Sequence, residues 1–575
     1  MLAKRCRRLK DRRGGDRIIN SFLFPSPFSS FILYTFCLSD MALVIAGERS
    51  GVGKTTVALT LLASLRRRKG IVQSFKVGPD YIDPMFHQYV TGRACRNLDP
   101  VLTSQVYVKQ CFARHTQVSE YALVEGVMGL FDGISSFVEQ DQMTDFASTA
   151  HIARLLNLPV VLVIDCSRLS GSVAAIAHGY CSFDPNVKIA GVVLNRVGSD
   201  RHLQLLLDAL EPLQIPIMGV LRRSDQITIG DRHLGLIPTA ELSQLDTLID
   251  QLATLGDTCF DWERLLPLLK IEKSRGAEGQ RGRGAQESSK SKTAKLSFGE
   301  EKLLGGYSRQ QTSGTQTDTA TRGATTGGTP ATHPLNFPQN LKSKIESPLR
   351  IAVALDRAFS FYYQDNLDLL QQLGAELVPW SPLVDPSLPE NIHGLYFGGG
   401  FPEVFAPQLA ANTQAIASVQ AALQAGMPTL AECGGLMYLC EQIIDFDSKS
   451  WSMVGAIAAN AVMGSRLTLG YRQATALQNS PLVKAGDIVW GHEFHRSHLS
   501  VMPTQPLFQT RGYDETSSTT LEGWRSPHLH ASYIHLHFGE HPEIPTRFLN
   551  QGLGAKERMK GEGGRGKVEG GKVEG

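Results

Sequence analysis

No two of the nine cysteines in this chain stand at CxxC spacing; Cys6, Cys37, Cys95, Cys111, Cys166, Cys181, Cys259, Cys433 and Cys440 are scattered through 575 residues. That spread argues against a dense disulfide framework and reads as reduced, cytosolic usage. His492, His495 and His498 recur at three-residue intervals but lack the apolar helical context of a zinc site. Excess charge is missing as well. Lys and Arg number 57 against 55 Asp and Glu, a formal +2, so no chain-wide field argues for a nucleic-acid partner. Nor is there an unbroken apolar run of membrane length. Residues 18–38 come nearest, and Asn20, Pro25, Pro27 and several serines interrupt them, which argues against a membrane span. Residues 1–40, basic from Arg5 to Arg17, are expected to lie outside the fold, because Met41 begins the first strand directly. An upstream start read in error explains them better than a signal or transit peptide.

With 42% hydrophobic residues the chain can bury more than one core, and its length suggests two or three units. A composition shift divides it. From about 270 to 347 it runs through "KSRGAEGQRGRGAQESSKSKTAK" and "TSGTQTDTATRGATTGGTPATHP", which offer little to bury and much backbone entropy to lose, so a disordered linker is expected. The Gly/Lys/Glu repeat of 553–575 predicts a disordered tail on the same ground. Two folded segments remain, 41–269 and 348–552. Each alternates short apolar runs with helical patterns, from "ALVIAG" and "PVVLVIDC" in the first to "LRIAVAL" and "MPTLAEC" in the second. That alternation predicts an α/β fold class, two doubly wound parallel-sheet domains, with no internal repeat linking them.

The first segment carries a phosphate loop. "ERSGVGKTT" follows the strand "ALVIAG" and precedes the helical "VALTLLASLRRRKG", so Gly51 and Gly53 sit where backbone amides approach an anion at a helix N-terminus. Lys54 then reaches the β/γ-phosphates, Thr55 places its hydroxyl on magnesium, and Thr56 completes the loop. Counted from Gly47, the spacing is one residue longer than GxxxxGK[ST], since Glu48 stands where the first glycine belongs. After two further strands, "FKVGPDYIDP" and "VEGVMGLFDG" put Asp80, Asp83 and Glu125 at strand C-terminal ends, where open α/β sheets bind ligands. Mg²⁺ takes one or two such carboxylates beside phosphate oxygens, and Lys76 adds a cation for charge on a transferred phosphoryl group. Turn carboxylates and a solvated lysine are the competing reading.

The second segment carries a different chemistry. In "MPTLAECGGLMYL" a buried strand leads to Cys433 at a strand-to-helix turn backed by Gly434 and Gly435, the local form of a nucleophile elbow. A thiol there is expected to be exposed, its thiolate favoured by the helix N-terminus. Upstream, Gly398, Gly399 and Gly400 supply a loop able to turn an amide toward an oxyanion. Downstream, "ASYIHLHFG" offers His535 as the base for a nucleophilic cysteine. An inert buried thiol is the competing reading for Cys433.

These strings carry a resemblance. "SGVGKTT", "FKVGPDYIDP", "NLDP" and "EGVMGLFDG" resemble the N-terminal domain of the cobyrinic acid a,c-diamide synthase family, whose loop is a variant shared with the dethiobiotin synthetase superfamily. The order glycine loop, cysteine, histidine resembles a class I glutamine amidotransferase domain, flavodoxin-like in fold. "DRAFSFYYQDNL" from Asp356 and "GHEFHRSHL" from Gly491 match the family too, and a macrocycle pocket competes there with plain packing. The resemblance implies a cytoplasmic enzyme that uses ATP, Mg²⁺ and L-glutamine to amidate acetate side chains of a corrinoid, cobyrinic acid. It implies that Asn195, in "VVLNRV", reads adenine, and it leaves a homodimer open. The same motifs serve enzymes acting on hydrogenobyrinic acid and nickel sirohydrochlorin, and a partitioning-type ATPase fused to an inactive amidotransferase module is the alternative of another class. One departure stands out. Glutaminases of this class carry Glu two residues beyond the histidine, where this sequence has His537.

Overall fold

The computed structural model describes residues 42–134, 144–223, 231–232, 235–236, 238–242, 244–271, 348–513 and 518–565. The expected N-terminal extension, and all of the expected linker beyond residue 271, lie outside them. Among the described residues no helix is long and apolar enough to cross a membrane.

The first domain is a seven-stranded sheet. Its strands are β1 (Leu43–Gly47), β2 (Val72–Val77), β3 (Arg96–Leu98), β4 (Tyr121–Glu125), β5 (Val160–Asp165), β6 (Ile189–Val197) and β7 (Ile217–Arg222). Every pairing is parallel, in the order β3-β2-β4-β1-β5-β6-β7. Successive side chains of a strand point to opposite faces, and here both faces are covered. Leu43, Ile45, Val161 and Val163 enter one core with the helix Lys54–Arg67, while Val44, Ala46, Leu162 and Ile164 enter the other with Val108 and Phe112 of the helix Gln105–Thr116. This is why the strands read as unbroken apolar runs instead of alternating ones. The three-residue β3, too short to show in the pattern, holds Asn97 and Leu98 of the "NLDP" motif and leads into its Asp99 and Pro100.

The second domain repeats the plan. Parallel strands Ala375–Trp380, Leu349–Ala354, Gly394–Phe397, Thr429–Glu432 and Leu529–Ser532 lie side by side in that order, with Trp524–Ser526 antiparallel at the edge. A second, mainly antiparallel sheet joins them, built on Ile457–Ala476 paired with Ile488–Leu499 and edged by His535–Leu536. Sequence reading does not anticipate this sheet. The expected tail needs correction as well. The helix Glu543–Arg565 continues past Gly552, because Leu549, Gly552 and Ala555 recur every three residues and are buried.

The two domains meet over a polar and aromatic junction. Arg96 pairs with Asp365 at 3.0 Å and Asp368 at 2.6 Å, Ser104 donates to Glu540 at 2.7 Å, and the Tyr471 hydroxyl donates to Asp99 at 2.9 Å. Cys111, His115 and Asp365 stand close enough there to hold an ion, but Asp365 is already the counter-charge of Arg96.

Candidate active sites

Gly51 and Gly53 hold φ of +77° and +92°, left-handed backbone that only glycine adopts without strain. A Cβ on Gly53 would also lie 2.4 Å from the Asn195 amide nitrogen. The loop therefore turns tightly from β1 into the helix Lys54–Arg67, whose first residue is the loop lysine. Lys54 Nζ lies back over its own loop, donating to the carbonyls of Arg49 and Met128. Burial, and then the neighbouring Lys76, lower its pKa to about 8, a state that an anion in the loop would reverse. Thr56 is half-buried in the same first turn. Asn195 lies near the C-terminal end of β6 and donates to the Val52 carbonyl at 2.7 Å. Beside it opens a groove of about 350 Å³ lined by Glu48, Arg49, Asp165, Ser167, Arg168 and Leu169.

The carboxylates converge as their strand ends predict. Lys76 on β2 and Glu125 on β4 are register partners. Lys76 Nζ lies 2.5 Å from Asp83 Oδ2, 3.0 Å from Glu125 Oε1 and 3.7 Å from Asp80 Oδ2. The Thr55 hydroxyl donates to Glu125 at 2.7 Å and approaches Asp83 at 3.3 Å. Asp80 caps the helix Ile82–Thr91, accepting from the amides of Ile82 and Asp83. Burial and Asp80 raise Asp83 to about 7. Burial acts on Glu125 in the same sense, but Lys76, His87 and Thr55 outweigh it and hold that carboxyl well below the usual range. His87, 2.6 Å from Glu125 Oε2, is a member that sequence reading missed. A signal was available, since Asp83 and His87 are i, i+4 on one helix face.

At the second site Cys433 holds φ +49° and ψ −101° between the strand Thr429–Glu432 and the helix Gly434–Leu439, a strained conformation for a side-chain-bearing residue. The two glycines behind it permit close approach: a Cβ on Gly434 would lie 3.0 Å from Gly400 N, and one on Gly435 2.5 Å from Phe397 O. The glycine loop also meets the histidine, because a Cβ on Gly399 would lie 2.5 Å from His535 Cε1. Gly398 is engaged elsewhere, its amide donating to the Tyr362 hydroxyl at 2.8 Å.

The expectation of an exposed thiol is overturned. Cys433 is 3% exposed, with its sulfur 3.9 Å from the Phe494 carbonyl. Phe494 belongs to the unanticipated antiparallel sheet, and the resulting burial, with Glu403 next, pushes the thiol well above its usual range. Burial and then His492 and His495 lower His535 to about 3. Burial thus favours a neutral thiol and a neutral imidazole, and the six-residue helix does not offset it. His537 faces the other domain, 3.8 Å from Asp365 and packed on Tyr107 and Tyr363.

The two sites are neighbours. Tyr81, between Asp80 and Asp83, reaches across the junction and packs its ring 4.9 Å from His535, 4.7 Å from Tyr363 and 5.3 Å from Phe361, centroid to centroid.

Residues 43–236 match the family described as the CobQ/CobB/MinD/ParA nucleotide binding domain, and residues 350–543 match the CobB/CobQ-like glutamine amidotransferase domain. The chain is 55% identical over 509 residues to a cobyrinate a,c-diamide synthase of Synechococcus sp., covering 88% of this chain and 98% of that protein. It is 45% identical over 520 residues to one from Synechocystis sp., covering 90% and 95%. To the hydrogenobyrinate a,c-diamide synthase of Streptomyces coelicolor it is 39% identical over 514 residues, covering 88% and 97%. With both domains matched in order and these relatives matched over almost their whole length, the chain belongs to the cobyrinate a,c-diamide synthase family.

Proposed function

We infer that this protein is a cytoplasmic ligase that converts the a and c acetate side chains of cobyrinic acid to amides, using ATP for activation and glutamine for nitrogen. The observation that supports the reading is the adjacency of two groups of residues: the phosphate loop with its carboxylate cluster, and Cys433 and His535, which both border the 398–400 glycine loop, with Tyr81 reaching from the first to His535. A partitioning ATPase has no use for a strained cysteine at a strand-to-helix turn beside a glycine loop that also meets a buried histidine.

Lys54 and the amides of the glycine loop hold the nucleotide phosphates, and the groove beside Asn195 takes the nucleoside. Asp83, Glu125 and the Thr55 hydroxyl offer hard oxygens that fit Mg²⁺, which supplies charge neutralisation on the phosphates when bound. Lys76 stands among these oxygens, placed to balance charge on the phosphoryl group as it passes to a substrate carboxylate. His535 accepts the thiol proton as Cys433 attacks the glutamine amide, and returns it to the leaving ammonia. Ammonia then displaces phosphate from the acyl phosphate. The cysteines, free at all seven described positions, support a reducing compartment.

The Synechococcus and Synechocystis relatives favour cobyrinic acid; the Streptomyces coelicolor relative carries hydrogenobyrinic acid as the second reading. Incubation with ATP, magnesium, glutamine and each of cobyrinic, hydrogenobyrinic and nickel-sirohydrochlorin acids, followed by mass spectrometry, decides between them. Two amidations of cobyrinic acid are expected; none on any of the three acids would refute the reading.

Tyr81 gives a separate prediction. Its buried ring fills the space between the sites, so Tyr81→Ala opens a water path there. Glutamate release by that variant is expected to outrun amide formation, whereas the intact enzyme keeps the two stoichiometric. An unchanged ratio would show that the ring is packing only.

A further inference from the structure

Where the triad carboxylate would stand, two residues beyond His535, the chain has His537, and His537 belongs to the domain junction. A general base has to be fixed in place, since small displacements from the productive geometry cost rate. The peptide next to His535 is fixed from a different direction. Glu432, immediately before Cys433, accepts from the Leu536 amide at 3.0 Å through Oε1 and from the Tyr396 hydroxyl at 3.0 Å through Oε2. Leu536 immediately follows His535. Its carbonyl accepts from Asn366 Nδ2 at 2.7 Å, so the peptide group on each side of Leu536 is tied to a buried side chain.

This tie joins two sheets. Thr429–Glu432 belongs to the parallel sheet and His535–Leu536 to the antiparallel one, and Glu432 spans them at the point where the nucleophile and base must meet. The carboxyl is 2% exposed. Its two hydrogen-bond partners are neutral donors, and burial pushes its pKa up to about 7. Desolvating a carboxyl without a paired cation is costly, whereas an apolar residue at a strand end would pack without that penalty.

We propose that Glu432 is a positioning residue for the glutaminase base, holding the backbone that carries His535 in place of a carboxylate on the imidazole itself. The inference rests on the glutaminase reading of Cys433 and His535. It concerns only an acceptor at Oε1, so glutamine, which keeps a carbonyl oxygen for the Leu536 amide, replaces Glu432, and alanine does not.

The test compares Glu432→Ala and Glu432→Gln in the full chain by glutamine hydrolysis, ammonia-driven amidation and the rate of Cys433 alkylation by iodoacetamide across pH. Glu432→Ala is expected to lower kcat for glutamine hydrolysis by about 10²-fold, the low end for a general base, with KM for glutamine little changed. Alkylation at neutral pH slows in parallel, because a displaced His535 no longer takes the thiol proton. Ammonia-driven amidation stays at the wild-type rate, and Glu432→Gln restores both other readouts. Hydrolysis by Glu432→Ala at the wild-type rate would overturn the proposal. So would equal damage from both substitutions, or a parallel loss of ammonia-driven amidation, which marks a residue needed only for folding. A wild-type enzyme that releases no glutamate would overturn the glutaminase reading, and this inference with it.

Discussion

Cys433→Ala removes glutamine-driven amidation and leaves ammonia-driven amidation at the wild-type rate. The expected loss with glutamine is on the order of 10⁴-fold or more, since without the nucleophile no thioester forms and only binding and the oxyanion loop remain. Tyr81, next to the carboxylate cluster, packs on His535, and activation of the acid does not use the thiol, so high ammonium bypasses its loss. His535→Ala should show the same split with a loss of about 10²–10⁴-fold. His537→Ala should be milder with glutamine, because its ring packs on Tyr107 and Tyr363 and faces Asp365. The measurement is initial rate with each nitrogen source at saturating ATP and corrinoid. Loss of both activities from a folded Cys433→Ala protein would contradict the division of labour between the domains.

Substitutions in the first site should abolish amidation with either nitrogen source, because activation precedes the arrival of ammonia. Lys54→Ala removes a buried cation from the phosphates, and a loss on the order of 10²–10³-fold is expected, the scale of one preorganised electrostatic group. Glu125→Ala should be more severe and should also lower stability. Glu125 is fully buried and accepts from Thr55, Lys76 and His87, so its removal leaves two buried basic groups short of a partner, at a cost of about 3–5 kcal/mol. Thermal unfolding beside the two rate assays separates the chemical effect from the structural one. Ammonia-driven amidation by Lys54→Ala at the wild-type rate would remove that lysine from the phosphate site.

Much of this was legible in the sequence, for stated reasons. The parallel strands are buried on both faces, so they appear as apolar runs, and the residues at their C-terminal ends gather at one edge of the sheet. That is why Lys76, Asp80, Asp83 and Glu125 read together, and the structure gathers the three carboxylates around the Lys76 ammonium. Cys433 and the glycine loop were legible as a turn geometry. The antiparallel sheet was not. Ile457–Ala476 mixes buried, half-buried and exposed positions, with Gly464 and Gly470 inside it and a register shift between Met463 and Thr468, so no clean alternation marks it as a strand. Missing it had a consequence, since this sheet buries the thiol expected to be exposed and pairs His492 with His535. The junction lay beyond reach for another reason. Arg96 and Asp365, or Tyr81 and His535, are far apart in sequence and carry no periodic signal of their contact. His87 is readable from its i, i+4 spacing to Asp83 on one helix face.

The acyl-phosphate step is tested most directly by the fate of carboxylate oxygen. A carboxylate resists ammonia because oxide is a poor leaving group, and phosphorylation converts that oxygen into part of a good one. With ¹⁸O in the side-chain carboxylates of cobyrinic acid, turnover with ATP and glutamine should yield ADP and ¹⁸O-labelled inorganic phosphate, one label for each amide formed. Lys54→Ala should lose this transfer with either nitrogen source. Label appearing in AMP, with no label in phosphate, would mean that the carboxylate is adenylated, and would contradict γ-phosphoryl transfer by Lys54, Lys76 and the Asp83/Glu125 cluster.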